Sequence, residues 1–417
     1  MITTINNKHN KLNVPNLRFP EFIGEWEKCK LGDYGKVVTG NTPPTKDIEN
    51  YENGTYLWAS PADLGTIKLI SETKTMLSAK GFSKTRALPK GSVLVTCIGS
   101  TIGKTGMATK EMSTNQQINS IVVNDNNDNE FVYYAIQSAF PRYLSSIAVQ
   151  AVPIISKSSF ELLPNQRPCL QEQKKIGKFL SLLDERIATQ SKIIEDLKKL
   201  KSAIIEKVFC SPNQKNPMCR IEGFEQALST YKMSDFSSRI ATKNKDSKCS
   251  LVLTIAAQYG LVNQESFFNK SIASENLTGY YLLHKGEFAY NRSYSAGYDW
   301  GAVKRLDNYD EGVLSTLYIC FKINETIVDS DYLTYYFEST KWHRGLSDIA
   351  GEGARNHGLL NVSMADYFNT KHRFPVIEEQ KAIAKILNAI TEKERKATLL
   401  GECYQKQKQY LLRQMFI

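Results

Sequence analysis

The sequence predicts an α/β (α+β) chain in which two pseudo-repeated globular domains are separated by two long antiparallel coiled-coil helices. Three observations carry this. First, Gln171 to Phe209 contains no proline. Its apolar residues recur at steps of three and four through Ile176, Phe179, Leu183, Ile187, Ile194, Leu197, Ile204 and Val208, with Gln190 and Lys201 as polar insertions. That period is a seam for another helix. Second, the pattern returns without a gap 207 residues later: Gln173, Lys174, Ile176, Lys178 and Leu180 fall on Gln380, Lys381, Ile383, Lys385 and Leu387, and Pro168 falls on Pro375. Third, each helix is preceded by short β-rich runs broken by Gly, Pro and Asn, so the chain reads as two tandem units.

Residues 1–19 are polar and rich in Asn and Lys, and read as a tail. The first domain spans 20–168. CKLGDYGKVVTG, TYLWAS, SVLVTCIG and NSIVVN supply its strands, expected to form a curved or barrel-like sheet, and FVYYAIQSAF from Phe131 has helical spacing. Spacer helix 169–210 follows, with a length of about 58 Å for its rod. The polar linker 211–219, SPNQKNPMC, separates the units. Domain 220–374 repeats the order of the first with drifting offsets, and spacer helix 375–417 closes the chain. Globular parts change length between copies; rods do not. Loops also differ, GSTIGKTGMA in one copy against NRSYSAGYDWGAVKR in the other, so the two domains read two different things.

The chain has 417 residues, enough for two cores. Its 53 Lys+Arg against 43 Asp+Glu favour a polyanionic partner. Eight cysteines are scattered without a C-x-x-C pair, which argues for reduced thiols and against a disulfide frame or zinc site. Neither a signal-like N-terminus nor an apolar run of spanning length is present, and a cytoplasmic protein is expected. GSTIGKT, Gly99 to Thr105, has three residues between its glycines where a phosphate loop needs four, so it reads as a turn offering Lys104 or as a plain structural turn. Glu72-x-Lys74 after Asp63 reads as solvated strand or loop rather than a nuclease acid pair. Asn41-Thr42-Pro43-Pro44 lacks the spacing and aromatic of an amino-methyltransferase motif.

These residues together resemble the specificity subunit of type I restriction–modification systems. The resemblance rests on RFPEF with Trp26 and KLGDYG, on GNTPPTK, WASPADL and GSTIGKTGMA with STNQQINSIVV, and on LHKGEFAYNRS with GVLSTLYICF. The duplicated helix opening, PCLQEQKKI at Pro168 and PVIEEQKAI at Pro375, is its most specific feature. Such a subunit is expected to carry two DNA target-recognition domains, each reading one half of a bipartite site, with the helix pair setting the unread gap at no more than about 17 base pairs. The resemblance implies no catalysis by this chain. It implies two modification (methyltransferase) subunits docked on the helices, with Gln173, Lys174, Gln380 and Lys381 as docking residues, and restriction (endonuclease/translocase) subunits beyond them. S-adenosylmethionine, ATP and Mg are expected in those partners.

Side chains able to read base edges from loops are Lys104, Asn115, Gln116, Gln117 and Lys157 in the first domain. In the second they are Gln258, Tyr259, Arg292, Tyr294, Lys304, Arg355, Asn356 and His357. Asn115 and Gln117 could instead satisfy backbone groups beside the NSIVVN strand. Two other readings stay open: a self-contained DNA-binding nuclease, against which the missing catalytic motifs count, and a helical scaffold without a nucleic-acid role.

Overall fold

The structure, a computed structural model, describes residues 3–4, 13–65, 67–146, 154–270, 276–293, 297–349, 355–356, 359–360 and 362–417. They form two units, one of Met1–Ser191 with Leu399–Ile417, the other Lys192–Thr398. Each unit therefore holds a globular part and segments of both long helices, where the sequence had set helix and domain apart.

In the first unit the chain runs through β1 (Glu27–Lys30), β2 (Gly35–Thr39), β3 (Tyr56–Ala59), β4 (Leu69–Ile70), β5 (Thr75–Leu77), β6 (Val93–Thr96), β7 (Thr105–Ala108), β8 (Met112–Thr114) and β9 (Ile118–Val123). Helix α1 (Asn129–Ser146), β10 (Pro164–Arg167) and α2 (Leu170–Val208) follow. Instead of one curved sheet there are a five-stranded sheet, β2-β9-β6-β7-β4, a three-stranded one, β8-β3-β5, and the pair β1-β10. Strand β9 is an inner strand, apolar at Ile118 and Ile121 on a run buried on both sides, and it pairs antiparallel with β2 and β6. Helix α1 is longer than its apolar stretch suggested. It buries Phe131, Tyr134, Ile136, Ala139 and Phe140 in the core that also takes Trp26 and Tyr34, Ile176 and Leu180 of α2, and Leu411 and Phe416 from the chain's end. The rings of Trp26 and Phe131 lie 6.2 and 5.5 Å from that of Phe416.

The second unit repeats this grammar. Its strands are β11 (Ser229–Lys232), β12 (Ser237–Arg239), β13 (Leu253–Ala256), β14 (Gly260–Asn263), β15 (Tyr281–His284), β16 (Phe288–Asn291), β17 (Ala302–Arg305), β18 (Glu311–Leu314), β19 (Ile319–Ile323) and β20 (Lys371–Phe374). Helices α3 (Ser330–Glu338) and α4 (Ile377–Gln414) take the places of α1 and α2. The sheet β12-β19-β16-β17 keeps the order of the first four strands of β2-β9-β6-β7-β4.

Both units contain antiparallel helix contacts. Lys408 of α4 bridges Asp184 of α2 at 2.6 Å, and Arg186 lies 5.3 Å over the Tyr404 ring. In the second unit Ile205 of α2 shares a core with Ile383, Ala384 and Leu387 of α4.

The shared helix opening fastens each helix to its globular part. Glu172, 1% exposed, takes a two-pronged hydrogen bond from Arg18, Nε at 2.8 Å and Nη2 at 2.7 Å. Glu379 does the same with Arg220, Nε at 3.0 Å. Gln173 accepts from the backbone N–H of Asp128 at 3.1 Å and donates to the Pro168 carbonyl at 3.0 Å. Gln380 likewise accepts from the Asp329 N–H at 2.9 Å and donates to Pro375 at 2.9 Å. Asp128 and Asp329 in turn accept from Phe131 and Tyr332 at 2.9 and 2.8 Å, holding the starts of α1 and α3.

Candidate nucleic-acid interface

In the first unit the polar side chains with reading potential gather where β8 turns into β9. Asn115, 7% exposed, closes this turn: its Oδ1 accepts from the Gln117 N–H at 3.0 Å and its Nδ2 donates to Gln117 Oε1 at 3.0 Å. The alternative role for Asn115, satisfying backbone, is what the structure shows. Gln116 points outward, and the Thr42 hydroxyl donates to its Oε1 at 2.5 Å. The run Thr39–Thr42 lies against this turn because Gly40 has no Cβ; one there would come 2.2 Å from the carbonyl oxygens of Thr114 and Asn115.

Two exposed cations lie on other loops of this unit. The loop from Gly99 to Lys104 joins β6 to β7 as a hairpin turn, with Gly99 and Gly103 at φ of +94° and +89°, and leaves Lys104 exposed. Arg86, which sequence reasoning passed over, donates from Nη1 to the Thr39 carbonyl at 2.6 Å and is exposed. Its signal was an isolated arginine after Lys84 in a loop, too common to single out. Among the described residues neither Arg86 nor Lys104 forms an ion pair. Lys157 sits elsewhere, 3.6 Å from Glu161, an exposed pair of little energetic weight.

In the second unit the corresponding turn between β18 and β19 presents Thr316 and Leu317, the latter 62% exposed. Gln258 and Tyr259 occupy the exposed β13–β14 hairpin, with Tyr259 68% exposed and its ring 6.3 Å from that of Phe267. Arg292 is used inside the fold: Nη1 donates to the Val362 carbonyl at 3.1 Å and Nη2 to Leu317 at 3.3 Å. Lys304 is corrected from a loop donor to a strand residue of β17, where burial pulls its ammonium below the usual lysine range, assisted by Lys201 and opposed by Glu338. An ammonium there faces helix residues, not a groove. Arg355–Asn356 are a two-residue strand paired with Leu359–Leu360. Their side chains, and Tyr294 and His357 altogether, lie outside the described residues.

Of the four docking candidates, Lys174 and Lys381 are exposed. Gln173 and Gln380 are each 1% exposed, and both ends of each amide are engaged internally, which leaves a partner nothing to bind.

Cys97 and Cys320 are buried, and burial pushes both thiols up to about 12. Asp63, beside the Glu72-x-Lys74 segment, caps a turn by accepting from the Ser60 and Lys74 N–H groups at 2.9 Å each. Among the described residues no group of three His, Cys, Asp or Glu side chains is arranged to hold a metal, and no helix is long and apolar enough to cross a membrane.

Residues 23–199 match the family model described as type I restriction modification DNA specificity domain. A Methanocaldococcus jannaschii protein, the type I restriction enzyme MjaIX specificity subunit, is 30% identical over 182 residues, 42% of this chain and 42% of its own length. The Haemophilus influenzae type I restriction enzyme HindI specificity subunit is 33% identical over 126 residues, 30% of this chain and 27% of its own. The matched stretches thus span less than half of these relatives. In fold the chain is similar to the S subunit of a type I restriction–modification system from M. genitalium, with TM-score 0.59 and 16% identity over 97% of this chain and 99% of that one.

Proposed function

We propose that the chain is the DNA-recognition subunit of a type I restriction–modification complex, a reading supported by the match of residues 23–199 to the type I restriction modification DNA specificity domain model. Each globular unit reads one half of a bipartite duplex site, and the paired helices fix the distance between the halves. The observation that carries this is duplication with divergence. Two units share strand order and the same Arg–Glu and Gln fastenings, yet the turns they present differ, Gln116-Gln117 against Thr316-Leu317. A chain built twice on one frame with two unlike reading surfaces suits two unlike half-sites on one DNA.

The chain contributes address rather than chemistry. Methyl transfer and cutting belong to modification and restriction subunits, which hold S-adenosylmethionine, ATP and Mg, and the complex works in the cytoplasm. Exposed Lys174 and Lys381, repeated at the same place on both helices, suit two copies of one docked partner. Arg86 and Lys104, exposed and in no ion pair among the described residues, suit phosphate.

The test is adenine-methylation mapping in cells expressing this chain with its modification subunit, beside a version whose second globular part is exchanged for another. The expected result is a split motif of which one half alone changes. A stable complex that methylates no split motif refutes the proposal.

A further inference from the structure

We propose that Gln116 reads an adenine in the half-site of the first unit, and that Thr42 is the positioning residue that makes this possible. The inference rests on the DNA-recognition reading above and names a residue-level determinant within it.

Reading adenine in the major groove requires an amide to offer oxygen to N6–H and nitrogen to N7 at the same time. A glutamine free in solvent exchanges its two ends by rotation about its last torsion, which is broad and roughly two-fold, so half of its orientations show the wrong edge. In the structure one orientation is held. Thr42 Oγ1 donates at 2.5 Å to Oε1 of Gln116 and leaves that oxygen a second lone pair, while Nε2 keeps both protons for N7. The backbone beneath is held as well, by the Asn115–Gln117 hydrogen bonds and by the close approach that Gly40 permits. The surroundings have the charge such a contact needs. Arg86 is tied to the Thr39 carbonyl three residues from Thr42, and the loop carrying Lys104 begins at Gly99, where an added carbon would lie 3.7 Å from Gln117 Nε2. Cations that hold phosphates elsewhere on the same unit set the register of an outward amide against the base pairs. The second unit has Thr316 and Leu317 at this turn and no amide, so the determinant acts in one half of the site only.

The experiment uses the full chain with its modification subunit and reads the methylated motif for wild type, Gln116→Ala, Thr42→Val and Thr42→Ser. Gln116→Ala is expected to lose preference at one A·T position by about tenfold or more, in the half assigned to the first unit by domain exchange, with every other position unchanged. Thr42→Val is expected to relax the same position in part at unchanged thermal melting, and Thr42→Ser to retain it. A Gln116→Ala motif of full stringency, or one weakened equally at all positions, overturns the inference while leaving the recognition reading intact. A wild-type chain that directs no split motif overturns both.

Discussion

His372 gives the second unit a pH dependence that can be worked out from its contacts. The imidazole is 3% exposed, with the rings of Phe236, Tyr336, Phe337 and Phe374 centred 5.6, 5.7, 6.3 and 6.1 Å away. Its tautomer follows from its neighbours. The Thr370 hydroxyl donates to the Tyr367 carbonyl at 2.7 Å, so it must accept from Nε2–H of His372 at 2.8 Å, and Nδ1 accepts from the Tyr336 hydroxyl at 3.1 Å. A neutral ring is fully satisfied; a second proton on Nδ1 would force the Tyr336 hydroxyl to switch from donor to acceptor, and burial drives the pKa down to about 3. The unfolded chain takes that proton near pH 6.5. Stability from this group is therefore fully present above pH 6.5 and falls as pH drops toward 3, at about 1.4 kcal/mol per pH unit, or about 2 kcal/mol lost by pH 5. Urea unfolding at stepped pH, followed by emission of the buried Trp342 and of Trp300 on the same core, measures it in wild type and in His372→Gln. The variant starts less stable at every pH because it loses ring packing, but its slope between pH 6.5 and 5 is expected to be shallower by the stated amount. His343, whose pKa burial also lowers, contributes to both chains and cancels in the difference. Equal slopes would refute the reasoning.

Breaking the Arg–Glu fastenings should hurt the units unequally. Glu172→Ala leaves Arg18, 6% exposed, as an uncompensated buried charge, a cost of about 3–5 kcal/mol in urea unfolding. Glu379→Ala should cost less, because Arg220 is 18% exposed and water reaches it. Gly177→Ala should destabilise the first unit despite a gain of about 1 kcal/mol in helix propensity. Its new Cβ would lie 2.9 Å from the Phe131 nitrogen and 2.5 Å from Asp128 Oδ1, overpacking that costs about 1–3 kcal/mol. Calorimetry showing a higher melting temperature for that variant would refute this.

The helices were legible in the sequence because a seam repeated at three and four residues needs no tertiary knowledge. The first helix runs Leu170–Val208, one residue inside the 169–210 read from the sequence at its start and two at its end. What the period could not show is which helix residues face the globular part. Gln173 looked like a polar residue offered to a partner, since nothing local reveals that the start of α1, 45 residues earlier, uses its amide. Arg18 and Arg220 were missed for the same reason, lying 154 and 159 residues before their carboxylates. A signal existed, an arginine shortly before a glycine at the head of each domain, in RFPEFIGE and RIEGFE, but it is short. At the reading surface, residue type alone could not separate Asn115, which builds the turn, from Gln116, which the turn displays. Arg292 and Lys304 show the same limit, cations drawn inward by carbonyls and helices that spacing cannot anticipate.

The fastening of helix to globular part has a consequence for how such a chain can diversify. Both copies plug in through one socket, an arginine fork on a glutamate and a glutamine bridging a proline carbonyl to the mouth of a helix. Everything beyond the socket is free to drift, since no contact at the plug depends on which loops it carries. Recombination that cuts between a proline and its Glu-Gln pair would deliver a new reader already fitted to an old frame. On the DNA-recognition reading proposed above, new half-sites would arise by exchange of whole parts, faster than by mutating one contact at a time.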